Sequence, residues 1–270
     1  MREALRELWQ YRELLFNLVA RDLKVRYKNS FLGVIWSWLN PLLMMLVFTF
    51  VFNVMRGAGM ENFHIFVLSG LLPWNYFSGA LLSGIQSIVG NGGLIKKVYF
   101  PREILPLARV ASNLINFLIA LPVLFLLAAL SGVHFTGWVL LLPLPILVET
   151  IFVLGIVLLL STLEVFYRDI HMIMDVAILA WFFLTPIFYD MSQLPSNVLF
   201  RLFGHPVTSA RLVMWLNPMA SIINTYQDII YRGHPTALDF LARTAITSLL
   251  VFFFGYAVFL KYRGRFGEEL

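Results

Sequence analysis

Residues 62–95 and 110–148 contain no Asp, Glu, Lys or Arg. Soluble domains carry a charge at roughly one residue in four, so charge-free runs of this length do not form water-facing surface. A bilayer core of about 30 Å is crossed by roughly 20 apolar helical residues, and each run is long enough to cross it. The rest of the chain agrees: 60% of its 270 residues are hydrophobic, 13% are charged and the mean hydropathy is +0.81. The chain reads as an integral membrane protein with no polar half that would fold as a separate soluble domain.

Six stretches qualify, or nearly so, as membrane spans: about 32–55, 64–90, 106–131, 138–163, 172–190 and 237–260. An outward-facing β-barrel alternates apolar and polar residues over ~10-residue segments, whereas these runs are apolar on both parities. The expected fold class is therefore all-α. Pro41, Pro73, Pro122, Pro143, Pro145 and Pro186 fall within or near the ends of these segments, where membrane helices tolerate kinks. There is no internal repeat.

Fifteen of the Lys and Arg residues lie on one side of this arrangement and five on the other. The positive-inside rule then places both termini in the cytoplasm, together with the loop around 96–109. Anionic lipid headgroups account for the net charge of +5, so nucleic acid is not an expected partner. Met1 to Lys28 is charged throughout and lacks the apolar core of a cleavable signal, so this end is expected to remain in the mature protein. With no cysteine there is no disulfide or thiolate site. The five histidines are scattered without metal-ligand spacing, so no metal is expected.

Leu5, Leu8, Trp9, Leu15, Phe16 and Val19 recur at helical spacing. They predict an amphipathic helix over 3–20 lying on the inner membrane face. Arg21, Lys24 and Lys28 then share a helical stripe, with Arg26 placed to pair with Asp22 four residues earlier. Two readings fit this stripe: ordinary positive-inside anchoring, and a receiving site for lipid phosphate. The segment Lys96 to Arg109 concentrates five charges between two apolar runs, as a compact loop gripped by another protein would. Between the fifth and sixth spans, 191–236 holds short apolar pieces broken by prolines, which suits re-entrant helices or a surface-lying connector.

Aromatic residues make up 16% of the chain. Trp36, Trp74, Tyr76, Phe77, Trp181, Phe188 and Tyr189 suit either interfacial belts or a wall along which sugar rings slide. Glu149 is the clearest intramembrane acid, with Asp175 near the inner end of the fifth span; an interhelical hydrogen bond is the expected role of each. No phosphate loop, H-E-x-x-H, G-x-S-x-G or dinucleotide fingerprint is present, so any work across the membrane draws on another chain. Glu164, Arg168, Asp169 and His171 compose either a salt-bridged turn or a site acting on lipid phosphates, with the turn favoured.

Six landmarks occur in order. They are Arg21-Asp22-Leu23-Lys24-Val25-Arg26-Tyr27-Lys28-Asn29-Ser30-Phe31-Leu32-Gly33 running into Trp36 and Asn40-Pro41; Gly70-Leu71-Leu72-Pro73-Trp74 with Phe77; Leu94 through Pro106; Tyr167-Arg168-Asp169-Ile170; Thr185-Pro186-Ile187-Phe188-Tyr189; and Leu216-Asn217-Pro218. Together they resemble the permease subunits of ABC-2-type exporters of cell-surface polysaccharide, such as O-antigen, teichoic acid and capsule. The resemblance implies a homodimer of six-helix subunits in the bacterial plasma membrane, joined to two cytoplasmic ATPase subunits that carry ATP and Mg, with no cofactor on this chain. It implies a coupling helix over 94–103, with Leu94, Lys96, Lys97, Tyr99, Phe100, Pro101, Arg102 and Glu103 meeting the ATPase. It further implies an interface helix at 3–20, external gate helices over 191–228, and a lipid-linked polysaccharide entering near Arg21, Lys24, Arg26 and Lys28 toward an aromatic path. Other amphipathic cargo and a stand-alone ion-coupled carrier are the alternatives.

Overall fold

The computed structural model describes residues 7, 9–28, 30–55, 60–191, 198–202, 205–235 and 238–270. The first described helix is α1 (Arg12–Tyr27). Then come α2 (Trp36–Thr49), α3 (Phe63–Ile85), α4 (Ile104–Leu130) and α5 (Pro143–Phe166). After α6 (Ile170–Phe183), a two-stranded antiparallel hairpin, β1 (Val198–Leu202) and β2 (His205–Thr208), leads to α7 (Ser209–Leu216), α8 (Pro218–Gln227) and α9 (Leu238–Tyr262). Helices prevail because a charge-free segment in lipid has to satisfy its backbone internally. Pro41, Pro73 and Pro122 lie inside helices that continue through them.

Among the described residues, five helical stretches are long and apolar enough to cross a membrane: Gly33–Phe52, Phe63–Ile85, Ile104–Leu130, Gly137–Phe166 and Leu238–Glu269. The fifth expected span, 172–190, is realised differently. Helix α6 has 14 residues, about 21 Å of rise, and stops before Pro186, whose missing N–H and steric bulk end helices. The chain beyond it is packed inside the protein: Ile187, Phe188 and Met191 are buried, and the Gln227 carboxamide donates to the Pro186 carbonyl at 2.9 Å. Irregular backbone at membrane depth is tolerated where protein groups satisfy it in this way.

Helices over all of 191–228 are corrected by the β1–β2 hairpin. Val198, Phe200 and Leu202 alternate with period two, the strand signature, and Pro206 interrupts any helical ladder there. The helices of this stretch are α7 and α8. At their junction Asn217 Oδ1 accepts from Met219 N at 3.1 Å and from the Trp181 indole at 2.7 Å, while Nδ2 donates to Thr185 Oγ1 at 2.9 Å. Trp181 stands eleven residues past the start of α6, about 16 Å up that helix, so the α7–α8 turn packs against the far half of α6. At the far end of α8, Arg232 binds Asp190 at 2.5 Å and also Asp228, fastening the returning chain to the segment after α6.

Helix α3 is the central staff, buried along most of its length and flanked by α2, α4, α5 and α8. Glu149 of α5 is fully buried and accepts from the Tyr226 hydroxyl of α8 at 3.0 Å, the interhelical role expected of it. Tyr226→Phe removes the bonded partner of a buried carboxyl and should cost about 1–3 kcal/mol. Thermal unfolding of the purified protein would read this as a midpoint lowered by several degrees; an unchanged midpoint would show that the bond contributes nothing.

Candidate functional site

After α3 the chain makes two short helical turns, Val89–Asn91 and Gly92–Ile95, and Lys96 to Glu103 is not helical. The expected helix over 94–103 is therefore cut short. β-Branched Val98 and two aromatics lead into Pro101, and a residue preceding proline is pushed out of the helical region. Lys96, Lys97, Val98 and Tyr99 point outward, Tyr99 with 82% of its surface exposed, while Leu94 is half-buried.

The other expected contacts turn inward. Phe100 packs with Ile95, Ile104, Phe259 and Phe266, and Pro101 is buried beside it. Glu103 pairs with Arg263, and the Arg102 guanidinium lies 5.9 Å from the Phe266 ring centre, within cation–π range. The outward face is thus two lysines, a valine and a tyrosine around a hollow of about 250 Å³.

Helix α1 does not simply lie along the membrane face; its C-terminal half leans on α4. Asp22 pairs with Arg109 at 3.1 Å and Arg21 at 3.4 Å, rather than with Arg26. Arg26 instead donates to Asn113 Oδ1 at 2.8 Å, and Tyr27 bonds Ser37 and Asn116. Helical spacing sets Arg26 four residues from Asp22, but Arg109 of α4 supplies the cation that Asp22 takes. Residues 3–6 and 8 of the expected interface helix lie outside the described residues. Arg21, Lys24 and Lys28 stay exposed.

Above them is a cavity of about 300 Å³ among the end of α1, α2, α3 and α4. Its polar lining is Arg26, Trp36, Ser37, Asn40, Asn75, Tyr76, Ser78, Asn113 and Asn116, without an acid among the described residues. Asn75 is twelve residues from the outer end of α3 and ten from its inner end, so it sits about 15–18 Å from either, at mid-bilayer. Asn113 is held by Arg26, by Ser83 at 3.0 Å and by the Arg109 carbonyl at 2.8 Å. Asn116 accepts from Ser37 at 2.9 Å and from Tyr27. The carboxamides of Asn40 and Asn75 have no partner among the described residues.

Of the seven expected path aromatics, Trp36 and Tyr76 line this cavity. Trp74, Phe77 and Phe188 are instead buried in an aromatic core: the Phe77 and Trp181 ring centres are 5.0 Å apart, and Trp181 is anchored by Asn217. Tyr189 packs on Phe188 at 5.6 Å. The Glu164–His171 group is a capped turn: Glu164 Oε2 accepts from His171 N at 3.0 Å, at the start of α6. Among the described residues no His, Cys, Asp and Glu cluster converges as a metal ion requires. Asn75, Asn113 and Asn116 were not singled out from sequence, and Asn40 entered only through the Asn40-Pro41 landmark, although amides inside apolar spans, with Asn113 and Asn116 one turn apart, are the signal that marks them.

Residues 13–231 match the family model described as "ABC-2 type transporter". The chain is 36% identical over 266 residues, 98% of each protein, to the O-antigen export system permease protein RfbA of Myxococcus xanthus. It is 31% identical over 259 residues to a protein of the same name from Klebsiella pneumoniae, covering 96% of this chain and 95% of that one. The polysialic acid transport protein KpsM of Escherichia coli is 21% identical over 249 residues, 90% of each.

Proposed function

The chain belongs to the ABC-2 type transporter family, and from that premise we propose that it is the membrane permease of an ATP-driven exporter of lipid-linked cell-surface polysaccharide. It is a multi-pass protein of the bacterial inner membrane, and its cargo class is that of its O-antigen and polysialic acid relatives. The single observation that carries this reading is likeness to O-antigen permeases along nearly the whole chain. Two copies of the permease assemble with two ATPase subunits, which bind ATP and Mg. Its own sequence has no phosphate loop, consistent with energy delivered from outside.

In this assembly Lys96, Lys97 and Tyr99 are the permease's contact with the ATPase. The buried Phe100–Phe266 and Glu103–Arg263 contacts behind them transmit displacement to α4 and α9. Arg21, Lys24 and Lys28 form an exposed cationic ridge for the diphosphate of the carrier lipid, with Arg26 at the threshold of the cavity. Glu149, committed to Tyr226 and outside the cavity lining, gives an ion-coupled carrier no support. Reconstitution tests the proposal: the permease and its ATPase should co-purify and move lipid-linked glycan across a vesicle membrane only with hydrolysable ATP. Transport driven by an ion gradient without the ATPase would overturn it.

A further inference from the structure

We infer that the mid-bilayer cavity is a glycan subsite, in which Asn40 and Asn75 hydrogen-bond the sugar hydroxyls next to the lipid anchor. This rests on the export reading above and goes beyond it by locating a part of the substrate.

The chemistry of the lining separates sugar from phosphate. A carboxamide offers a carbonyl acceptor and two N–H donors, and a sugar hydroxyl both gives and accepts. A diphosphate only accepts, so it would leave the asparagine carbonyl oxygens unpaired, and the hydroxyls of Ser78 and Tyr76 already donate to the Trp74 carbonyl and to Thr150. Phosphate sites are built instead from cations. The cavity's one cation, Arg26, already gives an N–H to Asn113 and stands at the inner rim.

The lining is also divided into fixed and free groups. Asn113 and Asn116 are locked by Ser83, Ser37, Tyr27, Arg26 and the Arg109 carbonyl, and so form a rigid wall. Asn40 and Asn75 have no partner among the described residues. Asn40 is exposed and Asn75 half-buried, so both amides are open to the cavity, and polar groups inside a membrane persist where they face a wet path or a ligand. Trp36 lies one turn before Asn40 on α2 and is 45% exposed, giving an apolar ring face beside the free amide on which a sugar's C–H face can rest. On α3, Gly79 lies one turn after Asn75, and a Cβ there would come 3.1 Å from Asn113 Oδ1. The missing side chain keeps the cavity open.

Its volume of about 300 Å³ is at the low end for small-molecule pockets. It takes a short piece of glycan and is not a conduit for a polymer. With the diphosphate outside on Lys24 and Lys28 and the first sugars inside, the subsite reads whether a carrier lipid is loaded.

The test uses the permease–ATPase complex in lipid nanodiscs. ATP hydrolysis is titrated with polyprenyl diphosphate bearing no sugar, one hexose or an oligosaccharide. Asn75→Leu and Asn40→Leu should each raise the half-stimulating concentration of the sugar-bearing lipids about tenfold, the equivalent of one to two neutral hydrogen bonds, and leave the bare lipid within about twofold. Equal weakening of bare and glycosylated lipid would overturn the inference in favour of a phosphate site. No change in any titration would mean that the cavity holds only water or acyl chain, which also overturns it. If Asn75→Leu does not assemble, Asn40→Leu on the exposed side of α2 carries the same expectation alone. A wild-type complex indifferent to every glycosylated lipid would overturn the export reading itself, and the subsite with it.

Discussion

Replacing Lys96 and Lys97 by Glu and Tyr99 by Ala should weaken binding of the permease to its ATPase by about a hundredfold or more, with stimulated ATP hydrolysis falling to the rate of the ATPase alone. These three residues are the outward part of the loop, and reversing two charges changes complementarity by four units of charge. An 82% exposed tyrosine beside them is the residue type that anchors interfaces once desolvated. Affinity measured between the detergent-purified subunits decides it; unchanged binding would remove the loop from the contact. The inward residues behave differently. Glu103→Ala leaves Arg263 without its partner and a pocket under Phe100, so the permease should lose thermal stability while its outward surface keeps the same charges. The comparison separates contact from support within eight consecutive residues that the sequence treats alike.

That separation marks the boundary of what could be read without coordinates. The charge-free runs dictated helices because lipid offers the backbone no alternative, and positions 62–95 and 110–148 do hold α3, most of α4 and the first turns of α5. Short-range chemistry was legible in part: Pro186 ends α6, yet the run to residue 190 looked like one span because hydropathy does not distinguish helix from packed irregular chain. Choices between partners were not legible. Asp22 takes Arg109, 87 positions away in the chain, over Arg26 four residues on, and Arg102 meets Phe266 across the whole of α4, α5 and α9. Such pairs exist only once the helices have packed. The candidate site illustrates the same limit: Trp36 and Tyr76 were picked for their aromatic rings alongside Trp74 and Phe77, but only packing shows that the first two border a cavity and the last two fill a core. Asn75 carries no charge and so leaves no mark in a charge pattern, and Asn40 stood out only as part of the Asn40-Pro41 landmark.

Gly255→Val should be among the most damaging single substitutions, costing about 3–5 kcal/mol or preventing accumulation of folded protein. A Cβ at Gly255 would lie 2.1 Å from the Gly155 carbonyl oxygen, and one at Gly155 would lie 2.6 Å from the backbone of Phe252. Helices α5 and α9 therefore touch backbone to backbone, where no side chain can swing aside. Lipid tails solvate leucine as well as another helix does, so membrane helices associate through close packing at small residues, and separating this pair forfeits that contact along both helices. Gly93, with nothing within 4 Å of its would-be Cβ, is the control: Gly93→Ala should stay within about 0.5 kcal/mol of wild type. Thermal unfolding of both variants checks the contrast, and a Gly255→Val protein as stable as Gly93→Ala would show that α5 and α9 are not in contact. The milder Gly255→Ala tests transmission as well as stability. Helix α9 leads directly into Arg263 and Phe266, the groups that brace the charged loop. A variant that still folds with α9 displaced should bind the ATPase through Lys96, Lys97 and Tyr99 yet respond less to substrate, a loss of coupling without loss of assembly.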